Sequence, residues 1–204
     1  MPTPDRTSLD AIVGAGRSIL EADGLGGLTM QAVAERVGVR APSLYKRVRS
    51  RGELVRLIAA ATVDDLAGRL DGAISVNGQD DGQGDALVDD ALVDDALVDV
   101  ARLARAVREF AHERPAAYAL VFTPSDESGL EVEALRAASA PLLAVAARIA
   151  GPEHALDAAR TLTAWVTGFV AMELSGAFRL GGDVDRAFEF GVERIAAALV
   201  STRA

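Results

Sequence analysis

Twenty residues, 29-TMQAVAERVGVRAPSLYKRV-48, leave this chain few choices of fold. Ala34, Gly38 and Leu44 stand there at the spacing of a helix-turn-helix. A small residue lets two helices approach, glycine makes the turn, and an aliphatic residue on the second helix plugs the gap. The second helix is short and opens on Ala41, Pro42 and Ser43, with Arg40 just before it. Such a helix fits the major groove of DNA, about 12 Å wide, and presents its first turn to base edges. Arg40, Ala41, Pro42 and Ser43 are therefore the candidate base contacts. Tyr45, Lys46, Arg47, Arg49 and Arg51 follow where the chain would pass the phosphates, and contacts there supply affinity and register. Thr29, at a helix N-terminus, is placed to offer a phosphate its hydroxyl and backbone N–H. Basic residues near helix ends also act on helix dipoles, and Arg51 or Arg56 has that alternative.

Charge supports the same reading. The chain carries −9 overall, yet residues 1–57 hold nine Lys/Arg against six Asp/Glu, a balance of +3. The remaining residues hold twelve against twenty-four, a balance of −12. Segregation of this kind points to different partners for the two parts.

Alanine, leucine and valine dominate and aromatic residues make up 4%, a composition that favours helix. Cysteine is absent, which removes disulfides and thiolate chemistry. No apolar run approaches the roughly 18 residues of a membrane span, and MPTPDR lacks the pattern of a signal peptide. We therefore expect an all-α, cytoplasmic protein of about nine helices.

The first three helices are expected over 8–22, 29–37 and 41–48. Ser50 and Glu53 form a capping box that opens a fourth, reaching Leu70. Residues 75–84 are polar and glycine-rich and read as a flexible loop. DALVD then occurs three times, at 85–99. Each copy is rotated by about 140° from the last at 3.6 residues per turn, so no continuous apolar face forms. Residues 75–92 are thus expected to be a loop and a solvated acidic extension, with the helix settling on the core from about residue 93. Calcium binding does not suit these aspartates, since an EF-hand loop needs alternating oxygen ligands and a central glycine. A short helix is expected over 115–122, a loop at TPSDESG, a helix over 130–149 kinked by Pro141, and two final helices along Ala158–Gly176 and Asp183–Ala198.

Leu28-Thr29-Met30, Ala34, Gly38-Val39, Leu44-Tyr45 and Leu54 together resemble the DNA-binding segment of the TetR family of transcriptional regulators. Val48 stands where that family usually has phenylalanine, and Arg49-Ser50-Arg51 replaces a commoner Pro-Ser-Lys. Arg114-Pro115 through Phe122, and Trp165-Val166-Thr167-Gly168, are similar to a branch with a WHG-type C-terminal domain, with Thr167 in place of its histidine.

The resemblance implies a helix-turn-helix domain over 1–56 and a ligand-binding and dimerisation domain over 57–204. It also implies a homodimer formed by pairing the last two helices, and a repressor released from a roughly palindromic double-stranded operator by a small, apolar effector. Phe110, His112, Tyr118, Phe122, Thr163, Trp165, Thr167 and Phe169 are the candidate effector pocket; the alternative is that most of them fill the core. Val166, Val170, Phe188, Phe190 and Ile195 are the candidate dimer interface, since apolar residues on several faces of terminal helices need a partner. A helical ligand-binding or dimerisation module without DNA binding is the alternative function, motivated by Val48 and the acidic repeat.

No catalytic arrangement emerges. His112 and His154 are distant in sequence and lack a nucleophile, and GLGG at 24–27 has neither the preceding strand nor the following lysine of a phosphate loop. No cofactor or metal is expected.

Overall fold

The computed structural model describes residues 8–74, 88–123, 129–130 and 132–200, with the backbone alone at 88–92. Ten α-helices and no strand occur among the described residues. In chain order they are α1 (Leu9–Gly27), α2 (Met30–Val37), α3 (Ala41–Leu44), α4 (Arg51–Ile74) and α5 (Val88–Glu113). Then come α6 (Pro115–Phe122), α7 (Val132–Ala138), α8 (Ala140–Ala150), α9 (Ala155–Leu174) and α10 (Val184–Val200).

The all-helical expectation holds, with local differences. The helix expected over 130–149 is two helices, because Pro141 lies in the first turn of α8 and Ser139 sits at its N-cap. Proline lacks the N–H that a continuous helix would need there, and its ring crowds the carbonyl four residues back. The third helix ends at Leu44 rather than Val48, and a turn closes it, with the N–H groups of Arg47 and Val48 both donating to Leu44 O. The helix of α5 already runs at Val88, inside the tract expected to be an extension, although the first buried residue described on it is Ala96. The loop expected over 75–84, the start of the repeat and most of TPSDESG lie outside the described residues.

Two compact units divide the chain. The first comprises residues 1–65 and 113–135. Its core gathers Ile12, Ile19 and Leu20 of α1, Val33 and Ala34 of α2, Leu44 of α3, Leu54, Val55 and Ile58 of α4, and Ala117 and Leu120 of α6. Burying each larger aliphatic side chain contributes about 1.5–3 kcal/mol. The helix α6, which the sequence-based division places with 57–204, thus shares a core with the helix-turn-helix.

The start of α6 is held from α1 and α4. Glu21 Oε2 and Oε1 accept the N–H groups of Ala116 (3.1 Å) and Ala117 (2.8 Å). Asp65 of α4 accepts Arg17 of α1 at 2.6 Å and also pairs with Arg114.

The second unit comprises residues 66–112 and 136–204. There α8, α9 and α10 pack on one another, burying Val145, Ile149, Leu162, Val166, Val170, Phe188 and Val192. Arginines of α5 fasten the last two helices. Arg108 bonds Glu173 of α9 at 2.9 and 2.5 Å and Asp185 of α10 at 2.5 Å, with its guanidinium 4.7 Å from the ring centre of Phe188. Arg105 grips Glu189 of α10 with two bonds, 2.8 and 2.6 Å.

Candidate nucleic-acid interface

The chain builds its helix-turn-helix from local chemistry. Thr29 caps α2, its hydroxyl accepting the Ala32 N–H at 3.1 Å. Gly38 ends α2 in the left-handed region, φ 75°, where a Cβ would be strained. Its N–H and that of Val39 donate to Glu35 O (3.1 Å) and Ala34 O (2.9 Å), satisfying carbonyls that the helix end leaves open. Ala34, Leu44 and Val48 are fully buried, so the spacing that identifies the motif is the spacing of its core. Beyond the turn, Ser50 Oγ accepts the Glu53 N–H (3.1 Å) while Glu53 Oε2 accepts the Arg49 N–H (2.6 Å). The capping box therefore reaches one residue further back than the N-cap and fixes the basic turn between α3 and α4.

These anchors leave the basic side chains outside. Arg40, Lys46, Arg47 and Arg49 are exposed, as are Thr29, Pro42 and Tyr45, while Ala41 and Ser43 are half-buried. Arg40 sits at the N-cap of α3 without capping it by its side chain. Arg51 differs from the expectation. Its guanidinium donates from Nε to Leu28 O (2.9 Å) and from Nη2 to Leu25 O (2.7 Å), carbonyls at the end of α1. A half-buried side chain bonded to two carbonyls braces α1 against α4.

The candidate effector residues are divided between the units. Tyr118 and Phe122 lie on α6 in the first unit, their rings 4.6 Å apart. Burial pushes the Tyr118 phenol up to about 12. The other six belong to the second unit. Phe110 is fully buried under the Arg69 guanidinium. His112 is exposed with Nε2 3.2 Å from Glu173, and Thr163 is exposed. Thr167 donates its hydroxyl to Thr163 O at 2.7 Å. Trp165 and Phe169 pack on Phe188 with ring centres 5.5 and 5.3 Å apart, the second pair edge to face. Phe169 also lines a surface cleft of about 430 Å³ together with Phe178, Asp183, Arg186 and Phe190.

The candidate dimer residues differ in exposure. Val166, Val170 and Phe188 are buried within the chain itself, in the core of the second unit. Ile195 is half-buried, and Phe190 is 59% exposed. Sequence reasoning passes over Leu156, Met172 and Leu180, which are exposed apolar residues on or between α9 and α10. It also misses Glu21. A signal for it is present: α6 opens on Arg114-Pro115, without a capping side chain, so its first turn needs an acceptor from elsewhere.

Comparison with known proteins agrees with this architecture. Residues 12–58 match the family described as bacterial regulatory proteins, tetR family. Residues 100–195 match the tetracyclin repressor-like C-terminal domain. The HTH-type transcriptional regulator Rv0681 of Mycobacterium tuberculosis is 31% identical over 200 residues, covering 96% of this chain and 83% of that protein. Among solved structures, a protein of unknown function from Rhodococcus sp. RHA1 superposes with a TM-score of 0.74 at 21% identity, covering 98% of this chain and 100% of that one. A TetR variant from Acinetobacter baumannii AYE, in complex with minocycline, gives 0.65 at 18% identity, covering 97% and 98%. No described helix is long and apolar enough to cross a membrane. With its helix-turn-helix and both matched regions, the chain belongs to the TetR family of DNA-binding transcriptional regulators, and not to an enzyme family.

Proposed function

We propose that this chain is a cytoplasmic, dimeric repressor that a small apolar effector releases from a roughly palindromic operator. The observation that carries the DNA-binding part is the exposed set Arg40, Lys46, Arg47 and Arg49 around a capped α2–α3 turn, on an otherwise acidic protein. Arg40, Ala41, Pro42 and Ser43 read base edges. Thr29, Tyr45, Lys46, Arg47 and Arg49 hold phosphates and set the register. A two-fold dimer would place its recognition helices about 34–36 Å apart, one helical turn of DNA. Phe190, with the exposed apolar residues Leu156 and Met172, supplies a surface for pairing copies.

Functionally, residues 1–56 read DNA and 57–204 bind effector and partner. The aromatic cluster Trp165–Phe169–Phe188 and buried Phe110 support an apolar effector, and the Acinetobacter protein of the same fold is seen with a small molecule, minocycline. Effector binding would bias the protein toward a state whose recognition helices no longer match the operator. The alternative without DNA binding draws on Val48, but that side chain is fully buried and leaves the motif packed.

The test is titration of the full chain against the DNA upstream of its own reading frame. A complex that is sequence-selective and weakens with salt is expected. Absence of such a complex on every fragment refutes the DNA-binding role, and a complex of one protomer per site refutes the dimer.

A further inference from the structure

The N–H groups of the first helical residues of α6 can be followed one by one. Four N–H groups open any helix without an intrahelical partner. Here Pro115 has no N–H, and from Tyr118 onward the ordinary helical bonding begins, with Tyr118 N donating to Arg114 O at 2.9 Å. The N–H groups of Ala116 and Ala117 are left, and the two oxygens of Glu21 take one each. Arg114, at the N-cap, makes no capping bond through its side chain. The cap therefore comes from α1, 95 and 96 residues away in sequence. It also brings a negative charge to the positive end of the α6 dipole.

We propose that Glu21 is a positioning residue that couples the state of the DNA-reading helices to the position of α6. This rests on the DNA-binding reading above. The same helix α1 that carries Glu21 shares a core with α2 and α3, so operator binding that fixes those helices also fixes the carboxylate. At its other end the carboxylate holds a helix that the chain joins on both sides to the second unit, through α5 before it and α7 after it. Asp65, paired with Arg17 and Arg114, keeps the approach of α6 to α1 and α4 in register. A two-oxygen grip on two backbone donors tolerates little displacement. The first turn of α6 should accordingly sense operator occupancy, and by linkage its displacement should change operator affinity.

Amide hydrogen exchange in α6 tests this on the full chain, with its own upstream DNA as the ligand. In the wild type, operator should slow exchange at Ala116 and Ala117. In Glu21→Ala, exchange at these amides should rise by roughly 10- to 100-fold without DNA, as expected for losing charged acceptors. The response to operator should vanish there, although the variant still binds DNA. Glu21→Gln, whose amide oxygen accepts one N–H, should restore part of the response. If operator slows α6 equally in the wild type and Glu21→Ala, the coupling role is refuted while DNA binding stands. Unchanged exchange in Glu21→Ala without DNA refutes the cap itself. If the wild type binds no upstream fragment, the regulator reading fails and the coupling falls with it.

Discussion

Arg51 offers a sharp test, because sequence and structure assign it different work. As an arm to phosphate, its removal would cost operator affinity and leave the protein as stable as before. As a brace, its removal strips two charge-assisted bonds from Leu28 O and Leu25 O, at 2.9 and 2.7 Å. Bonds to a charged group contribute about 1.5–3 kcal/mol each when buried. Water can replace part of this at a half-buried site, so about 2 kcal/mol is expected for Arg51→Ala. For a chain of this length each kcal/mol corresponds to about 2–4 °C, giving a fall in Tm of about 4–8 °C. Calorimetry measures that fall. Fluorescence anisotropy across about 50–200 mM salt measures the slope of log affinity on log salt, which drops by about 0.9 for each phosphate that the protein no longer neutralises. The brace predicts a lowered Tm and an unchanged slope. An unchanged Tm with a shallower slope would refute it and return Arg51 to the phosphate set.

Lys46→Ala should flatten the salt slope by about 0.9 per protomer and weaken all sequences alike, whereas Arg40→Ala should relax selectivity by about 1–3 kcal/mol at its base pair. Competition binding against operator and unrelated DNA separates the two, and equal behaviour overturns the division of roles. Gly191→Ala should destabilise the second unit by about 1–3 kcal/mol, because its Cβ would fall 2.1 Å from Trp165 Cζ2. Trp165 is the sole tryptophan, so its emission should shift in the folded variant. Acid should loosen the α5–α9–α10 clamp. Arg108, and less strongly His112, hold the Glu173 carboxyl below the ordinary range, as Arg105 does for Glu189. The unfolded chain then takes up protons first, so their stabilisation is full above about pH 4.3, the ordinary glutamate value, and is lost as pH falls through the lowered folded-state values. Between pH 6 and 3 the Tm of the wild type should fall further than that of Glu173→Gln.

What the sequence discloses follows from how local each determinant is. The Thr29 cap, the Gly38 turn and the buried trio Ala34, Leu44 and Val48 lie within twenty residues, and all are legible as spacing. Val166, Val170 and Phe188 escape a sequence-based assignment because periodicity reports that a face is apolar, not which neighbour covers it. Here α8, α9 and α10 cover those residues within one protomer. Arg51 escapes it for a related reason: its partners are backbone carbonyls 23 and 26 residues upstream, which no side-chain pattern marks.

The shared core of α6 and the helix-turn-helix also bears on how the protein is made. During synthesis α1 to α4 leave the ribosome well before residues 115–122, and their core lacks Ala117 and Leu120 until those residues arrive. Closing that gap brings together segments nearly a hundred residues apart, a slow step in which loop entropy is lost before contacts compensate it. A chain cut after residue 65 would end synthesis with that apolar surface open, so an excised N-terminal fragment should aggregate more readily than the full chain.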